Sequence, residues 1–182
     1  MIKITDKNYS DVIEQDIISD IHFYWINFSL YDFWVKKFND CIFEKCNLSN
    51  IPLRSTTFNN VEFVNSKIMW LKFVDINSVL SNFSFSDCNI LLSSFYWSNL
   101  KNTKFNDCEV KECDFTNANL ENAIFAYCDL EKSIIFNTNL KNTNFIWSYN
   151  FSIDPTKNKL SKTKFSRDNA IWLLSYLDIV IE

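Results

Sequence analysis

The 182-residue sequence contains no glycine, two prolines and a single histidine. Without glycine there is no phosphate-cradling loop, dinucleotide fingerprint or nucleophile elbow, because each needs backbone where a Cβ would clash. A lone imidazole, His22, cannot complete an acid-base triad and reads as a surface side chain. Basic charge is scarce as well: 18 Lys and Arg against 22 Asp and Glu give a formal charge of −4. That leaves no clustered cationic face for direct nucleic-acid binding. No apolar run suits a membrane span. Residues 21–38 are the most apolar stretch, yet His22, Asn27, Ser29, Asp32, Lys36 and Lys37 interrupt it. The first residues lack the basic start and unbroken apolar run of a secretory leader. The expectation is a cytoplasmic, non-enzymatic protein with no cofactor and no metal.

What is present is a period of five. Counting from Phe23 in fives gives a large apolar residue at every step to Phe73, including Phe28, Phe33, Phe38, Phe43, Leu48 and Phe63. The phase then slips by two residues near 74–79 and is expected to resume at Leu80, continuing through Phe85, Ile90, Phe95 and onward to Phe145. Fifteen of the 18 phenylalanines lie on this grid, counting Phe165. The residue two before each centre is mostly Cys, Ser, Thr or Ala from Cys41 onward, and all six cysteines (Cys41, Cys46, Cys88, Cys108, Cys113, Cys128) occupy that slot. Their five-residue spacing is not that of a zinc knuckle, so they read as reduced, buried, structural thiols. One large and one small inward residue per five describes a chain that turns a corner after each short straight piece.

A second period sets the number of sides. Steps of 20, or 22 across the slip, connect Phe23, Phe43, Phe63, Phe85, Phe105, Phe125, Phe145 and Phe165. Four pentads per turn therefore stack like on like, with rungs ~4.8 Å apart and a rod roughly 34 Å long for about seven rungs. The series Asn82, Asn102, Asn122, Asn142 and Asn99, Asn119, Asn139 repeat at the same step. Such amides can bond along the stack, and asparagine tolerates the positive φ of tight corners. Phe83, bulky in a small slot, marks a bulge. Ile21, Ile26, Tyr31 and Lys36 fill the small slot of the first turn, which is expected to be distorted or capped. Near the other end the grid meets Asn150 and Pro155, then recovers at Leu160 and Phe165. A helix starting near 168, capped by Ser166 or Asp168, would cover the open end with Ala170, Leu173, Leu174 and Leu177.

ANL at 118–120, CDF at 113–115, CDL at 128–130 and TNL at 138–140 resemble the A(D/N)Lxx motif of the pentapeptide-repeat family over about residues 38–165. The resemblance implies an all-β fold, a right-handed quadrilateral β-helix with a short C-terminal α-helical cap. The organisation expected is an N-terminal segment or cap over 1–20, the β-helix over 21–165 and a helix-and-strand cap over 166–182. That last segment looks like the cap of the quinolone-resistance (Qnr-type) branch, which implies a two-fold dimer contact through Trp172, Tyr176, Ile179 and Ile181. A monomer with a plain cap and a homodimer both remain open. Members of the family resemble B-form DNA and bind type II topoisomerases, which implies a DNA-mimicking modulator of DNA gyrase or topoisomerase IV as protein partner.

The outward residues offer two surfaces. Asp87, Asp107, Glu109, Asp114 and Asp129 are acidic, but Lys104, Lys111 and Lys132 stand among them. Cross-rung ion pairs Lys111–Glu131 and Glu112–Lys132 are the simplest expectation. The other surface is apolar: Met69, Trp70, Leu91 and Leu92 stack on one another, Tyr96 and Trp97 follow on the next side, and Trp34 lies below. Contiguous apolar surface rich in aromatics marks interfaces. A covering N-terminal segment or the loop at 74–79 would be the alternative. The two functional readings are thus a topoisomerase modulator and a protein-interaction scaffold unrelated to topoisomerases.

Overall fold

Each pentad forms one side of a square coil: a short extended piece, with its central residue inward, then a corner. The corner is a backbone necessity. Among the described residues twenty-five adopt positive φ although none is glycine, and nearly all sit two places after a centre. Many corners close as a turn in which the next small-slot N–H reaches back to the centre, as from Ala118 to Phe115 at 3.0 Å and from Ala123 to Leu120 at 2.9 Å. Positive φ in third place is the signature of a type II turn, which normally takes glycine or asparagine. The computed structural model describes residues 1–6, 9–177 and 179, without the Ser175 side chain.

Successive rungs pair in parallel at a step of 20, as in Phe105↔Phe125 and Val110↔Ile90. This register stacks the centres of the first side ring on ring. Their centroids are 4.8 Å apart for Phe23–Phe43, 4.9 Å for Phe85–Phe105 and 4.5 Å for Phe105–Phe125, with planes within 21°. We call the sides of Phe23, Phe28, Phe33 and Phe38 the first to fourth. The four columns of centres fill the axis, and the core is one continuous cluster from Ile4 to Ile153.

The small slot has a further job that composition did not reveal. Its hydroxyls tie rungs together: Ser66, Ser133, Thr138, Thr143 and Ser148 donate to the carbonyls of Phe43, Val110, Phe115, Leu120 and Phe125 at 2.7–2.9 Å. Outside, Asn119 donates to Asn99 at 3.1 Å and Asn139 to Asn119 at 2.9 Å, and Asn102, Asn122 and Asn142 form a second ladder. Asn82 does not join it. On its bulged rung it pairs with Asn59 instead.

The grid departs from expectation at the slip. Leu80 is 58% exposed, while Phe83 is buried among Phe58, Phe63, Phe73 and Phe85 with its centroid 5.7 Å from that of Phe73. Burying the ring removes more apolar area than burying the leucine. The pairing therefore shifts between Asn59 and Val61, and the loop carrying Val79 and Leu80 lies beside the fourth side. Beyond Phe145, Asn150 turns a corner early, Ile153 pairs with Ile135, and Phe151 packs on Phe145 and Phe165.

Both ends are closed. Strand β1 (Ile2–Ile4) pairs with Ile21–Tyr24, and β2 (Ile17–Ser19) pairs with Lys37–Asn39, so these residues already supply half a rung. Helix α1 (Ser10–Ile13) bridges them and buries Ile13, while Tyr9 packs edge-on against Phe28 and hydrogen-bonds Tyr31 at 2.8 Å. At the far end, helix α2 (Arg167–Leu173) is capped by Ser166, whose side chain accepts from the Asn169 amide. Leu173 packs against the core, but Leu177 is exposed. Phe151, off the five-residue grid, covers the end that Leu177 was expected to cover.

Phe105→Ala should lower the unfolding free energy by about 3–5 kcal/mol, against roughly 0.5 kcal/mol for the exposed Phe136→Ala, in urea titration. Equal losses would contradict a load shared along the inner column. Lys132, at φ 58°, is a costly corner residue. Lys132→Asn should raise stability by ~0.5–1 kcal/mol, read as a higher urea midpoint with unchanged slope.

Candidate functional site

The interior is filled by aromatic and aliphatic side chains, and all six cysteines are buried and unbridged. Burial pushes the thiols of Cys46 and Cys113 up to about 12 and that of Cys41 up to about 11. Such thiols are poor nucleophiles at neutral pH. Among the described residues no group of three or more His, Cys, Asp or Glu could hold a metal ion. No helix there is long and apolar enough to cross a membrane. His22 is tied to the coil, its Nε2 2.8 Å from Glu44 Oε2 on the next rung.

The acidic residues divide. Asp87 and Asp107 occupy successive corners between the first and second sides, both exposed, and Glu109 lies just beyond them. Asp114, half-buried on the third side, accepts from the Thr116 amide at 2.8 Å. Asp129 is not a surface acid. It is only 8% exposed and is held by Lys111 at 3.0 Å, Asn150 at 2.8 Å and the Glu131 amide at 3.2 Å. Burial alone would push its carboxyl up, but the bonds from Lys111 and Asn150 outweigh that and hold it below the usual carboxylate range.

Lys111 also lies 3.6 Å from Glu109. It therefore pairs with the two acids flanking it in the neighbouring column and not with Glu131, the expected partner. No Glu112–Lys132 pair forms among the described residues; Lys132 lies 3.9 Å from Glu131 instead. Glu112 and Lys132 are both corner residues, one rung apart. Pairs at that twenty-residue step do form on the fourth side, where Lys101, Glu121 and Lys141 lie at 3.3 and 3.1 Å. Both lysines bond to Glu121 and hold its carboxyl down.

The apolar residues come together. Met69 pairs with Leu91 and Trp70 lies over Leu92 on the corner between the second and third sides. Tyr96 stands in the middle of the third side and Trp97 on its far corner, with Trp34 lower on the same side as Tyr96. Trp34, Trp70, Tyr96 and Trp97 are 41–63% exposed, whereas Met69 and Leu91 are half-buried. The suspected covers reach only the margins of this surface: Asp16 and Ile17 of the N-terminal segment line a hollow with Trp34, and Asp75 lines one with Trp70, while Val79 and Leu80 lie beside the fourth side. Arg54 lies over Trp34 at 5.4 Å, a cation–π contact. At the cap, Trp172 and Ile179 are well exposed and Tyr176 bonds Ser152, while Ile181 lies outside the described residues.

The sequence matches the model described as "Pentapeptide repeat region" over residues 35–112 and "Pentapeptide repeats (8 copies)" over 113–148. No curated protein matches. Among solved structures, trypsin-treated R167E QnrB1, a plasmid-mediated fluoroquinolone resistance protein, aligns with a TM-score of 0.53 at 18% identity, over 91% of this chain and 90% of its own. HetL from the cyanobacterium Nostoc sp. strain PCC 7120, involved in heterocyst differentiation regulation, aligns at 0.37 and 11% identity, over 81% and 86%.

Lys111 and Asp129 generate a pH test. Because the folded carboxyl lies below its unfolded value, Asp129 adds stability that is present above the usual carboxylate range and lost as pH falls through the folded value. In Lys111→Met the buried carboxyl has lost its cation, so stability should fall at neutral pH and decline less, or rise, on acidification. Urea unfolding between about pH 3 and pH 7 reads both. Parallel wild-type and variant profiles would show that Lys111 does not set the Asp129 charge.

Proposed function

We propose, given that this chain belongs to the pentapeptide-repeat family, that it is a non-catalytic binding rod whose partner is a type II topoisomerase. DNA gyrase or topoisomerase IV is the enzyme meant, and the rod occupies its DNA-binding saddle. The supporting observation is the repetition of exposed carboxylates along one edge: Asp87 and Asp107 stand one rung apart on the same corner, with Glu109 beside them. A stiff rod with anionic groups at rung spacing presents charge as a duplex edge does, and a cationic saddle attracts it over a Debye length. Likeness in fold to QnrB1 supports the same reading. Occupancy would protect or inhibit the enzyme without any chemistry by the rod. Six buried, unbridged thiols suit a reducing compartment, and we place the protein in the cytoplasm.

A supercoiling assay with purified gyrase, with and without a fluoroquinolone, tests this. The chain should shift the drug's inhibitory concentration, Asp87→Lys/Asp107→Lys should not, and added salt should abolish the effect. No effect of the wild-type chain at large molar excess would overturn the reading. The exposed aromatic third side favours a second reading, a protein-interaction scaffold independent of topoisomerases, whose binding would persist in salt.

A further inference from the structure

Resting on that second reading, we propose that the occupant of the aromatic third side is a second copy of this chain, packed face to face and antiparallel. The apolar content is sufficient. Trp34, Trp70, Val74, Tyr96, Trp97 and Phe136 are 41–63% exposed. At about 200 Å² per aromatic side chain, half exposed, these residues and their flanking neighbours offer roughly 800 Å², the contribution of each partner to a standard interface.

Symmetry and charge select the arrangement. Six rungs of the third side carry the centres Phe33, Leu53, Phe73, Phe95, Phe115 and Ile135, in register through Lys72↔Ser94, Ser94↔Asp114 and Asp114↔Ile134. A two-fold axis lying in the interface, across the rod between the Phe73 and Phe95 rungs, sets each column against the same column reversed. Val74 then faces Tyr96, Trp70 faces Leu92, and Trp34 faces Phe136. Arg54 faces Thr116 of the other copy, beside Asp114, and Lys72 lies one rung from the same Asp114. Asp32 lands next to Lys132. Lys72 is equally one rung from Lys72 of the other copy, so the charge argument rests on Arg54 with Asp114 and Asp32 with Lys132. A two-fold axis along the rod would instead set each rung against itself and bring Arg54 near Arg54 and Asp114 near Asp114, which is destabilising. The antiparallel dimer thus pairs apolar with apolar and base with acid in one operation.

Sedimentation equilibrium should show a reversible dimer. Tyr96→Arg and Trp97→Asn should each raise its dissociation constant at least tenfold; asparagine suits the left-handed corner of Trp97, so that variant keeps its fold. Trp172→Asp, on the cap, should leave it unchanged. Arg54→Glu and Asp114→Arg should each weaken the dimer, and the double exchange should recover most of the loss. Independently, Arg54→Cys/Thr116→Cys should oxidise to a cross-linked dimer, because the native thiols are buried. A monomer at every soluble concentration, or a dimer lost with Trp172→Asp and kept in Trp97→Asn, would overturn the proposal. In that case salt-resistant binding of a foreign protein, lost in Tyr96→Arg, would leave the second reading standing, and its absence would remove that as well.

Discussion

The molecule depends on its register: residue n lies over residue n + 20, or n + 22 across the slip, held there by parallel backbone bonds on all four sides. The register fixes the corner conformation, because four sides of five residues close only if the chain bends sharply at each pentad. Bending requires left-handed backbone, which disfavours side chains other than asparagine and aspartate by about 1–2 kcal/mol each. A lone turn of that kind would not persist. Here each corner N–H bonds to the next rung, as Trp25 to the Glu44 carbonyl at 2.9 Å and Asn122 to the Lys141 carbonyl at 2.9 Å. Ring stacking along the axis adds burial that no single rung could achieve. Strain is thus tolerated collectively, as expected of a repeat array in which neighbours stabilise one another.

A core specified so uniformly leaves the outside free. Each side can carry its own chemistry without altering the fold, and each does. The fourth side is a lattice of asparagine amides with a Lys–Glu–Lys line. The corner between the first and second sides carries Asp87 and Asp107 on adjacent rungs, between Asn65 and Tyr127, and the third side carries Trp34, Tyr96 and Phe136. Function, on such a scaffold, resides in the columns, and neighbouring columns can differ completely in polarity at a separation of a few ångströms.

The regular part of this fold was legible in the sequence because inward positions repeat at five and twenty. Phe85, Phe105 and Phe125 stand where the period puts them. Departures were not legible, since each is a competition that a period cannot express. At the slip, Leu80 and Phe83 are both apolar and three residues apart; ring burial wins, and only packing against Phe73 and Phe63 reveals it. Near the end, Phe151 and Ile153 displace Asn150 and Pro155 from the centres for the same reason. Of the surface residues, the aromatic cluster was readable because stacking follows directly from the twenty-residue step. The Lys111–Asp129 pair was not, because it runs diagonally between columns and depends on how far Asp129 is drawn inward.

The corner columns carry the most telling contrast. On the corner after the fourth side the left-handed residues are Asp20, Asp40, Asn60, Asn102, Asn122, Asn142 and Lys162, nearly all of the types that bear positive φ cheaply. On the other corners the same conformation is imposed on Trp25, Val35, Trp70, Leu92, Trp97, Tyr127 and Trp147. These residues are unfavourable twice, in backbone conformation and in exposed apolar surface. The fold does not need them, since asparagine serves at Asn50 and Asn117 in the very columns of Trp70 and Trp97. A side chain that helps neither the backbone nor the core is explained by what it touches outside. Two of these columns border the third side, so Trp70 and Leu92 along one margin and Trp97 along the other are the corner residues that the proposed interface would account for.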